Sequence, residues 1–377
     1  MANIERRKPE HLEPAPLFPI FPSGPVGVAR LAADATHADD GHLIQFKAMK
    51  VRSLVNKTVS KRRHMFELSI NPYRGCEFGC KYCFARYTHE FLEPAPVSTV
   101  PIGTYDVPQQ SWALKFEREI YLKENAAWLL EQELRKIDPE NGIVLGTATD
   151  PYQPIERRVG ITRSILEVFA KQEGYSLGII TKSSLIVRDI DLLTRIAARN
   201  KLVVHHTITT TDAALARKME PRAPRPDLRL AALRKLRQAG ITAGVLCSPL
   251  LPGINDSAQS LDAVASRSAA AGTSFLAANP LFLKSCSRPT WMEFVREHFP
   301  ALAPEYARRY AHADFADAAY KKQMQALVKA ACKKHGIGER DKEAIGARLP
   351  EAVAPATPRK QPAAVPQPSL FLLPNSA

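Results

Sequence analysis

The hydrophobic pattern over residues 143–298 alternates between two kinds of segment. Short apolar runs, typical of strands buried on both faces, stand at 143–146, 177–181, 202–208, 241–246 and 274–278. Each is followed by a longer stretch with apolar residues at helical spacing, at 162–171, 189–199, 227–239, 257–271 and 290–297. A further strand is predicted at 64–70, where Phe66, Leu68 and Ile70 alternate with Glu67 and Ser69. Six strands alternating with helices predict an α/β fold, a partial (β/α)6 TIM-like barrel.

Composition divides the rest of the chain around this barrel. Residues 1–63 are rich in proline and then in lysine and arginine, so we expect an extended, Pro-rich and basic N-terminal arm. Residues 64–298 form the predicted barrel, and 299–348 a basic helical extension. Residues 349–377 are a Pro/Ala-rich tail that we expect to be disordered. Between the first two strands the pattern predicts a short helix at 84–92, an exposed strand at 115–123, and a helix at 126–137 with Trp128 on its apolar side.

Charge and hydropathy narrow the setting in which the chain works. The 377 residues carry a formal net charge of +14, which favours a polyanionic partner such as nucleic acid. A merely basic enzyme is an equally good explanation of the charge. No apolar run approaches the ~20 residues of a membrane span, and the N-terminus does not resemble a signal peptide. We therefore expect a cytoplasmic protein with no membrane contact. Six cysteines are too few for a disulfide framework in so long a chain, which agrees with a reducing compartment.

Three cysteines stand close together directly after the first predicted strand. Cys76, Cys80 and Cys83 have C-x3-C-x2-C spacing, and Gly75 and Gly79 allow one short loop to turn three thiols towards a common point. Clustered thiolates suit an iron–sulfur cluster or zinc. A structural zinc site wants four ligands, and the remaining cysteines are isolated in the sequence. A [4Fe–4S] cluster with three cysteines leaves one iron open; zinc, or free cysteines that never meet, are the alternatives.

Polar residues follow several of the other predicted strands. Residues 146–156 include Thr149 and Asp150, a possible ribose- or amine-binding wall, although Asp150-Pro151 also suits an ordinary turn. Lys182 and Ser183 follow the next strand, where a lysine can neutralise a carboxylate or simply be solvated. Further candidates are Thr207, Thr209, Glu220 and Arg222. Because parallel βα folds place their sites at the carboxyl ends of the strands, we expect these residues to lie near the cysteine loop.

Together these segments resemble the radical S-adenosylmethionine (radical SAM) enzymes, and among them the spore photoproduct lyase-like, or "DNA repair photolyase", group. The resemblance spans about residues 64–280 and rests on SINPYRGC with its two following cysteines, TATDPYQPIE, ITKS with RDIDLL, MEPR, and PLLPGIND. It implies a [4Fe–4S] cluster whose open iron binds S-adenosylmethionine (SAM), reductive SAM cleavage, and hydrogen abstraction from a substrate. It also implies an electron donor such as flavodoxin or ferredoxin.

The resemblance further implies roles for single residues. Tyr82 would lie near the adenine of SAM, and Thr149 and Lys182 would hold its carboxylate. Thr207 or Thr209 would face SAM. The resemblance also implies that Glu220 and Arg222 brace the pocket.

The chain departs from this group at one position. Spore photoproduct lyases carry a cysteine near the second strand end that returns a hydrogen atom to the thymine product, whereas Thr147 stands there in this chain. A threonine O–H bond is too strong for that step, which argues against repair of the spore photoproduct itself. Cys247, at the end of the fifth predicted strand, is a candidate donor; a small buried apolar residue is the competing interpretation.

The tail contains one short motif. Gln367, Leu370 and Phe371 match the Gln-x-x-Leu-Phe peptide that bacterial replication and repair proteins insert into the sliding clamp. A flexible tether with two apolar anchors suits such a groove, although the same residues could dock on this protein's own surface.

Three hypotheses for the function follow from the sequence. The first is a radical SAM enzyme that acts on nucleic acid, by lesion repair or base modification. The second is a radical SAM enzyme that acts on a peptide or a small metabolite. The third is a non-catalytic, metal-stabilised nucleic-acid-binding protein.

Overall fold

The computed structural model describes residues 44–57, 66–92 and 111–338, with a short strand at 36–38 and the residues Gly27, Val28 and Arg30. Most of the expected N-terminal arm and all of the expected tail lie outside the described residues. The same holds for the proposed clamp peptide at Gln367, Leu370 and Phe371.

A seven-stranded sheet forms the centre of the fold. Its order is β11-β10-β9-β8-β7-β4-β3, and the strands from β4 to β11 pair in parallel while β3 joins β4 antiparallel. The strands are β3 (Val55–Lys57), β4 (Leu68–Ile70), β7 (Ile143–Leu145), β8 (Ser176–Thr181), β9 (Lys201–Thr207), β10 (Thr242–Leu250) and β11 (Leu276–Pro280). The six parallel strands are the six that the hydrophobic pattern predicts, and the α/β fold class is confirmed.

Helices follow the strands as the pattern predicts. The helices of the described residues are α1 (Ser111–Lys115), α2 (Ala126–Leu134), α3 (Glu156–Val159), α4 (Ile161–Phe169), α5 (Ile190–Arg199), α6 (Ala213–Met219), α7 (Pro226–Gln238), α8 (Ala258–Ala270), α9 (Arg288–His298), α10 (Ala303–Arg309) and α11 (Ala318–Lys334). The short helix predicted at 84–92 is a 3-10 helix, Phe84–Leu92. No helix within the described ranges is both long and apolar enough to cross a membrane.

A second sheet of four strands packs beside the first and corrects one prediction. Its order is β1 (Thr36–Ala38), β2 (Gln45–Met49), β6 (Glu119–Lys123) and β5 (Tyr73–Arg74). The segment 115–123 is predicted as an exposed strand, but the strand starts only at Glu119 and its residues 120–123 are buried, because β6 lies between β2 and β5. The alternating charges misled the prediction: Glu119 is instead paired with Lys47 at 2.8 Å.

The helix α2 also differs in one detail from its prediction. Ala126, Leu129, Leu130 and Leu134 form its buried face, as helical spacing requires. Trp128 is 62% exposed, because it lies between these positions and points away from the face they form.

Two large apolar clusters stabilise the fold: one lies between the sheet and its helices, and the other surrounds the cysteine loop. The first joins the strands to the covering helices and includes Ile179 and Val204 from the sheet and Leu193 and Leu233 from the helices. The second surrounds the cysteine loop, where Cys76, Cys80 and Tyr82 lie with aromatic residues of the C-terminal helices. The C-terminal extension therefore packs directly behind the loop that the sequence identifies as the centre of the chemistry.

Candidate active site

The cysteine loop runs from the end of β5 to the 3-10 helix and is fixed by backbone hydrogen bonds from several distant segments. The Cys76 amide donates to Phe116 O at 3.0 Å, and the Lys81 amide donates to Met219 O at 2.9 Å. The Ser287 hydroxyl donates to Cys83 O at 2.7 Å. Within the loop, the Cys83 amide donates to Cys80 O at 3.2 Å. Hydrogen bonds thus join the loop to three segments that are distant in the sequence.

The three thiols are close neighbours in a region with little solvent. Cys76 and Cys80 are buried, and Cys83 is half-buried. Burial raises the pKa of the Cys76 thiol well above its usual value, and the nearby Cys80 and Cys83 raise it further. Burial also raises the pKa of the Cys80 thiol to about 12, although Lys182 works against this. Thiolates in such a place require a positive centre beside them, which ligation to iron supplies.

The chemistry of the three thiols suits an iron–sulfur cluster. Cys76, Cys80 and Cys83 come from one short loop, and clustered thiolates are the usual ligands of such clusters. Among the described residues, no group of three His, Cys, Asp or Glu side chains is placed to hold a single metal ion. By its chemistry the three-cysteine donor set fits a [4Fe–4S] cluster.

Gly75 allows the loop to leave the sheet, and a side chain there has no room. Its φ is +81°, and an added Cβ would lie 2.6 Å from Glu119 O and 2.8 Å from Phe116 O, both backbone atoms. Gly174 has nearly the same φ, +82°, but nothing lies within 4 Å of the Cβ position. Both glycines have a left-handed backbone, but only at Gly75 do other backbone atoms occupy the place of a side chain.

We expect Gly75→Ala to destabilise the protein and lower its iron content, because both the left-handed backbone and the backbone clash act there. Gly174→Ala should cost only about 1 kcal/mol in the free energy of unfolding. Thermal unfolding and iron content after anaerobic reconstitution measure both effects. Equal losses in the two variants would contradict a requirement for close approach at Gly75.

A buried polar network connects the cysteine loop to the ends of the strands. The Tyr82 hydroxyl donates to Glu220, and Arg229 forms an ion pair with the other oxygen of the same carboxylate. Arg229 also donates to Thr207 O at 3.1 Å, and Thr209 donates to Glu220 at 3.2 Å. Burial opposes ionisation of Glu220, but Arg229 and Lys182 outweigh it and lower the pKa of this carboxyl. Glu220 is therefore a buried carboxylate that anchors the Tyr82 ring.

Lys182 faces the same region from the end of β8. Its ammonium lies 5.8 Å from the centre of the Tyr82 ring. Burial lowers the pKa of Lys182, but Cys80 and Glu220 outweigh burial, so the pKa is raised and the side chain is charged at neutral pH. A cation beside the Tyr82 ring is well placed to meet a ligand carboxylate.

Asp150, Thr149 and Ser183 already have partners within the protein. Asp150 accepts from the Thr181 hydroxyl and the Lys182 amide, both at 2.7 Å, and so ties β8 to the turn after β7. Thr149 donates to Gly75 O at 2.6 Å. The Ser183 hydroxyl accepts from the Leu185 amide at 3.2 Å and caps the following 3-10 helix. These three residues hold the cysteine loop and the strand ends in position.

The structure brings most of the sequence-predicted residues together around the cysteine loop, whereas Cys247 lies in the apolar core. Cys247 is fully buried in the apolar cluster between sheet and helices, and its Sγ lies 3.6 Å from Thr209 O. Burial raises the pKa of its thiol to about 12. Thr147, at the position discussed above, accepts from the Asn71 side chain at 3.2 Å and is half-buried. Arg222 donates to Glu77 O within the cysteine loop and lies 3.6 Å from Glu117.

Two neighbours of the cysteine loop and the buried network were given no role by the sequence analysis. Arg229 is buried and carries the counter-charge for Glu220, but its position inside a helix with apolar spacing gave no polar motif to notice. Cys286 follows β11 and lies near Cys83, whose charge, after burial, contributes to raising the pKa of the Cys286 thiol. The strand-end rule applied to β11 would have found Cys286; only the folded chain reveals Arg229.

The family follows from a match over the same segment that builds this site. A family model described as the radical SAM superfamily matches residues 70–263, a little over half of the chain. The chain belongs to the radical SAM superfamily. Radical SAM enzymes use a [4Fe–4S] cluster and SAM, so this chain is a radical SAM enzyme with these two cofactors. The family and the cofactors predicted from the sequence are confirmed.

The chain is also similar in sequence to proteins that are described only as uncharacterized. An uncharacterized protein of Mycobacterium tuberculosis is 31% identical over 286 residues, which cover 76% of this chain and 79% of the relative. An uncharacterized protein of Methanocaldococcus jannaschii is 30% identical over 187 residues, covering 50% of this chain and 61% of that protein.

Solved structures of spore photoproduct lyase share the fold. A structure of that enzyme complexed with dinucleoside spore photoproduct has a TM-score of 0.55 and 15% identity, and the match covers 77% of this chain and 79% of that one. A mutant of the same enzyme with bound AdoMet and dinucleoside spore photoproduct has a TM-score of 0.52 and 14% identity over the same shares. The likeness confirms the partial-barrel fold.

Proposed function

We propose that this radical SAM enzyme acts on nucleic acid, by lesion repair or by base modification. In this proposal Cys76, Cys80 and Cys83 hold the cluster. The observation that carries the assignment is the position of the cysteine loop: it lies beside a buried network, Tyr82–Glu220–Arg229, that ends at the carboxyl edge of β9. Parallel βα folds bind their ligands at that edge.

The residues around the loop suit SAM. When bound, the cluster and SAM supply a 5′-deoxyadenosyl radical that abstracts a hydrogen atom. The Tyr82 ring, fixed by Glu220, offers a flat surface for the adenine. The Lys182 ammonium neutralises the SAM carboxylate, and Thr207 and Thr209 line the strand end behind it. Asp150 holds the Lys182 backbone, and Ser183 caps the 3-10 helix that follows it. Thr149 and Arg222 bond backbone oxygens at Gly75 and Glu77 and so support the cysteine loop.

Two features support nucleic acid as the substrate class, and a third bears on the product. The net charge of +14 attracts a polyanion. The fold is that of an enzyme solved with a dinucleoside spore photoproduct. Thr147 in place of the hydrogen-returning cysteine favours a product other than repaired spore photoproduct, with Cys247 as a candidate donor only if its side chain becomes accessible.

Three further expectations from the sequence stay predictions. They are a flavodoxin- or ferredoxin-type reductant, a cytoplasmic location, and the clamp peptide at Gln367, Leu370 and Phe371.

The test is reductive SAM cleavage by the anaerobically reconstituted enzyme with irradiated DNA, untreated DNA or tRNA. We expect 5′-deoxyadenosine formation to rise with one of the nucleic acids, and mass spectrometry to find a changed nucleotide. Cleavage that no nucleic acid stimulates, together with no retention on DNA at low salt, would move the assignment to a peptide or small-metabolite substrate. Colourless, zinc-loaded protein would contradict the cluster assignment.

A further inference from the structure

Next to the cysteine loop the surface carries an aromatic cluster that the proposed chemistry does not use. Phe282 and Phe315 are stacked with ring centroids 4.4 Å apart and an interplanar angle of 13°. Phe84 lies 5.6 Å from Phe282. Phe84 is 38% exposed and Phe315 is 43% exposed, although half of the phenylalanines of the described chain are buried. We call Phe84, Phe282, Phe315 and the adjacent Lys284 the aromatic platform.

The platform is built into the framework of the site. Phe84 directly follows Cys83, and Phe282 is the second residue after the end of the strand β11. The backbones of Phe282 and Phe315 form an antiparallel bridge, and the Leu283 amide donates to Asp314 O at 2.8 Å. These bonds hold the rings in place, so little ordering entropy remains to be lost when a ligand binds.

Positive charge is interleaved with the rings. The Lys284 ammonium lies 4.5 Å from the centre of the Tyr87 ring and 5.9 Å from that of Phe282. Arg288 is one turn further along, partly exposed, and only loosely paired with Asp314 at 3.7 Å. The core of a protein–protein interface is depleted of charge, whereas flat rings interleaved with basic side chains are typical of surfaces that bind unpaired nucleotides.

We propose that the aromatic platform binds unpaired nucleotides of a nucleic-acid substrate, with a base stacked on the exposed Phe315 or Phe84 ring and a phosphate on Lys284. This inference rests on the proposed function and deepens it, because it assigns a single-stranded or locally opened segment as the form that is recognised. Since Ser287, three residues after Lys284, bonds to Cys83 O, a strand on the platform lies beside the cluster loop. The reacting nucleotide would then enter the site from the platform side.

The test is fluorescence anisotropy of the full-length protein with labelled oligothymidylate, oligouridylate and a hairpin duplex of equal length. Base–aromatic stacking is worth about 1–3 kcal/mol per base, so Phe315→Ala should weaken binding of the single strands about tenfold. Phe315→Leu keeps an apolar side chain and removes the ring, and should weaken binding similarly. The matched control is Phe91→Ala: Phe91 is 54% exposed on the same 3-10 helix as Phe84 and is outside the platform. The Phe91→Ala variant should bind the single strands as tightly as the unchanged protein does.

Lys284→Gln tests the phosphate contact separately. It should reduce the slope of log affinity against log salt by about 0.7, the contribution of one phosphate on a single strand. Comparison of oligothymidylate with oligouridylate distinguishes DNA from RNA as the source of the nucleotides.

Each other outcome has a defined meaning. Equal affinities for the Phe315 and Phe91 variants, or tighter binding of the duplex with no effect of Phe315→Leu, would overturn the platform and leave the proposed function standing. Absence of salt-dependent binding to any of the three nucleic acids would instead overturn the proposed function. A dimer in sedimentation that Phe315→Leu dissociates, without any effect of oligonucleotide, would assign the platform to self-association and overturn the inference.

Discussion

Cys80→Ala is expected to yield a protein without the brown colour and iron–sulfur absorbance of the reconstituted enzyme, and without detectable SAM cleavage. Cys80 is buried between Cys76, Cys83 and Lys182, and in our assignment it is one of three cluster ligands. Removing one thiolate leaves two, and two cysteines are too few to hold the cluster in this assignment.

The matched control for this variant is Cys332→Ala. Cys332 is equally buried, but it lies on α11, with its Sγ 3.9 Å from Leu276 O, far along the chain from the loop. It should keep its absorbance and lose no more than about 1 kcal/mol of stability. Iron and sulfide content, the absorbance spectrum, and 5′-deoxyadenosine under reduction measure the result. An intact iron–sulfur spectrum in Cys80→Ala would refute the ligand assignment.

The second large effect is expected from Arg229→Met. Arg229 is the counter-ion of Glu220, and both side chains are almost completely buried. Loss of one member of a buried ion pair leaves an uncompensated charge and costs about 3–5 kcal/mol in the free energy of unfolding. Lys182, which also lowers the pKa of Glu220, compensates in part, so we expect the lower end of this range. The affinity for SAM should fall as well, because the Glu220 carboxylate that bonds Tyr82 loses the arginine that holds it in place.

Two further variants make this prediction specific. Arg234→Met changes an exposed arginine on the same helix, α7, and should change stability by less than about 0.5 kcal/mol. Adding Glu220→Gln to Arg229→Met removes the orphaned charge and should restore part of the lost stability. Urea unfolding measures the stabilities, and equilibrium binding of SAM measures the second effect. Additive losses in the double variant would contradict the coupling.

The same pair predicts a pH dependence with a defined sign. In the unchanged protein the pKa of Glu220 is lowered, so its contribution to stability is present above the pKa of the unfolded chain and is lost as pH falls through the folded pKa. In Arg229→Met burial dominates and the pKa of Glu220 rises. The variant should therefore be most destabilised near neutral pH, and the deficit relative to the unchanged protein should shrink on acidification. A deficit that grows on acidification would contradict this account.

The fold was largely predictable because its signals are local. A buried parallel strand is a short apolar run and its crossover helix has apolar residues at helical spacing, so all six parallel strands could be located. The strand β6 was misjudged because burial there comes from β2 and β5, which lie far from it in sequence. A charged residue such as Glu119 looks solvent-exposed until its partner Lys47, 72 residues away, is known.

The candidate site shows the same division between local and distant signals. The cysteine spacing and the polar residues after each strand identify Tyr82, Lys182 and Glu220 as neighbours by topology alone. Which of them contact one another depends on side-chain direction. Asp150 and Ser183 accept from backbone amides of residues that follow β8, and Arg229 reaches the site from within a helix. The aromatic platform joins three segments of the chain, so no single stretch of sequence indicates it.

The short strand β3 has a consequence for how the central sheet ends. It hydrogen-bonds to the edge of β4 opposite β7, so β4 has a strand partner on each side, and β3 and β11 are the two edge strands of the described sheet. Because β3 is only three residues long and ends in Lys57, its outer edge offers few backbone groups for pairing with a strand of another chain.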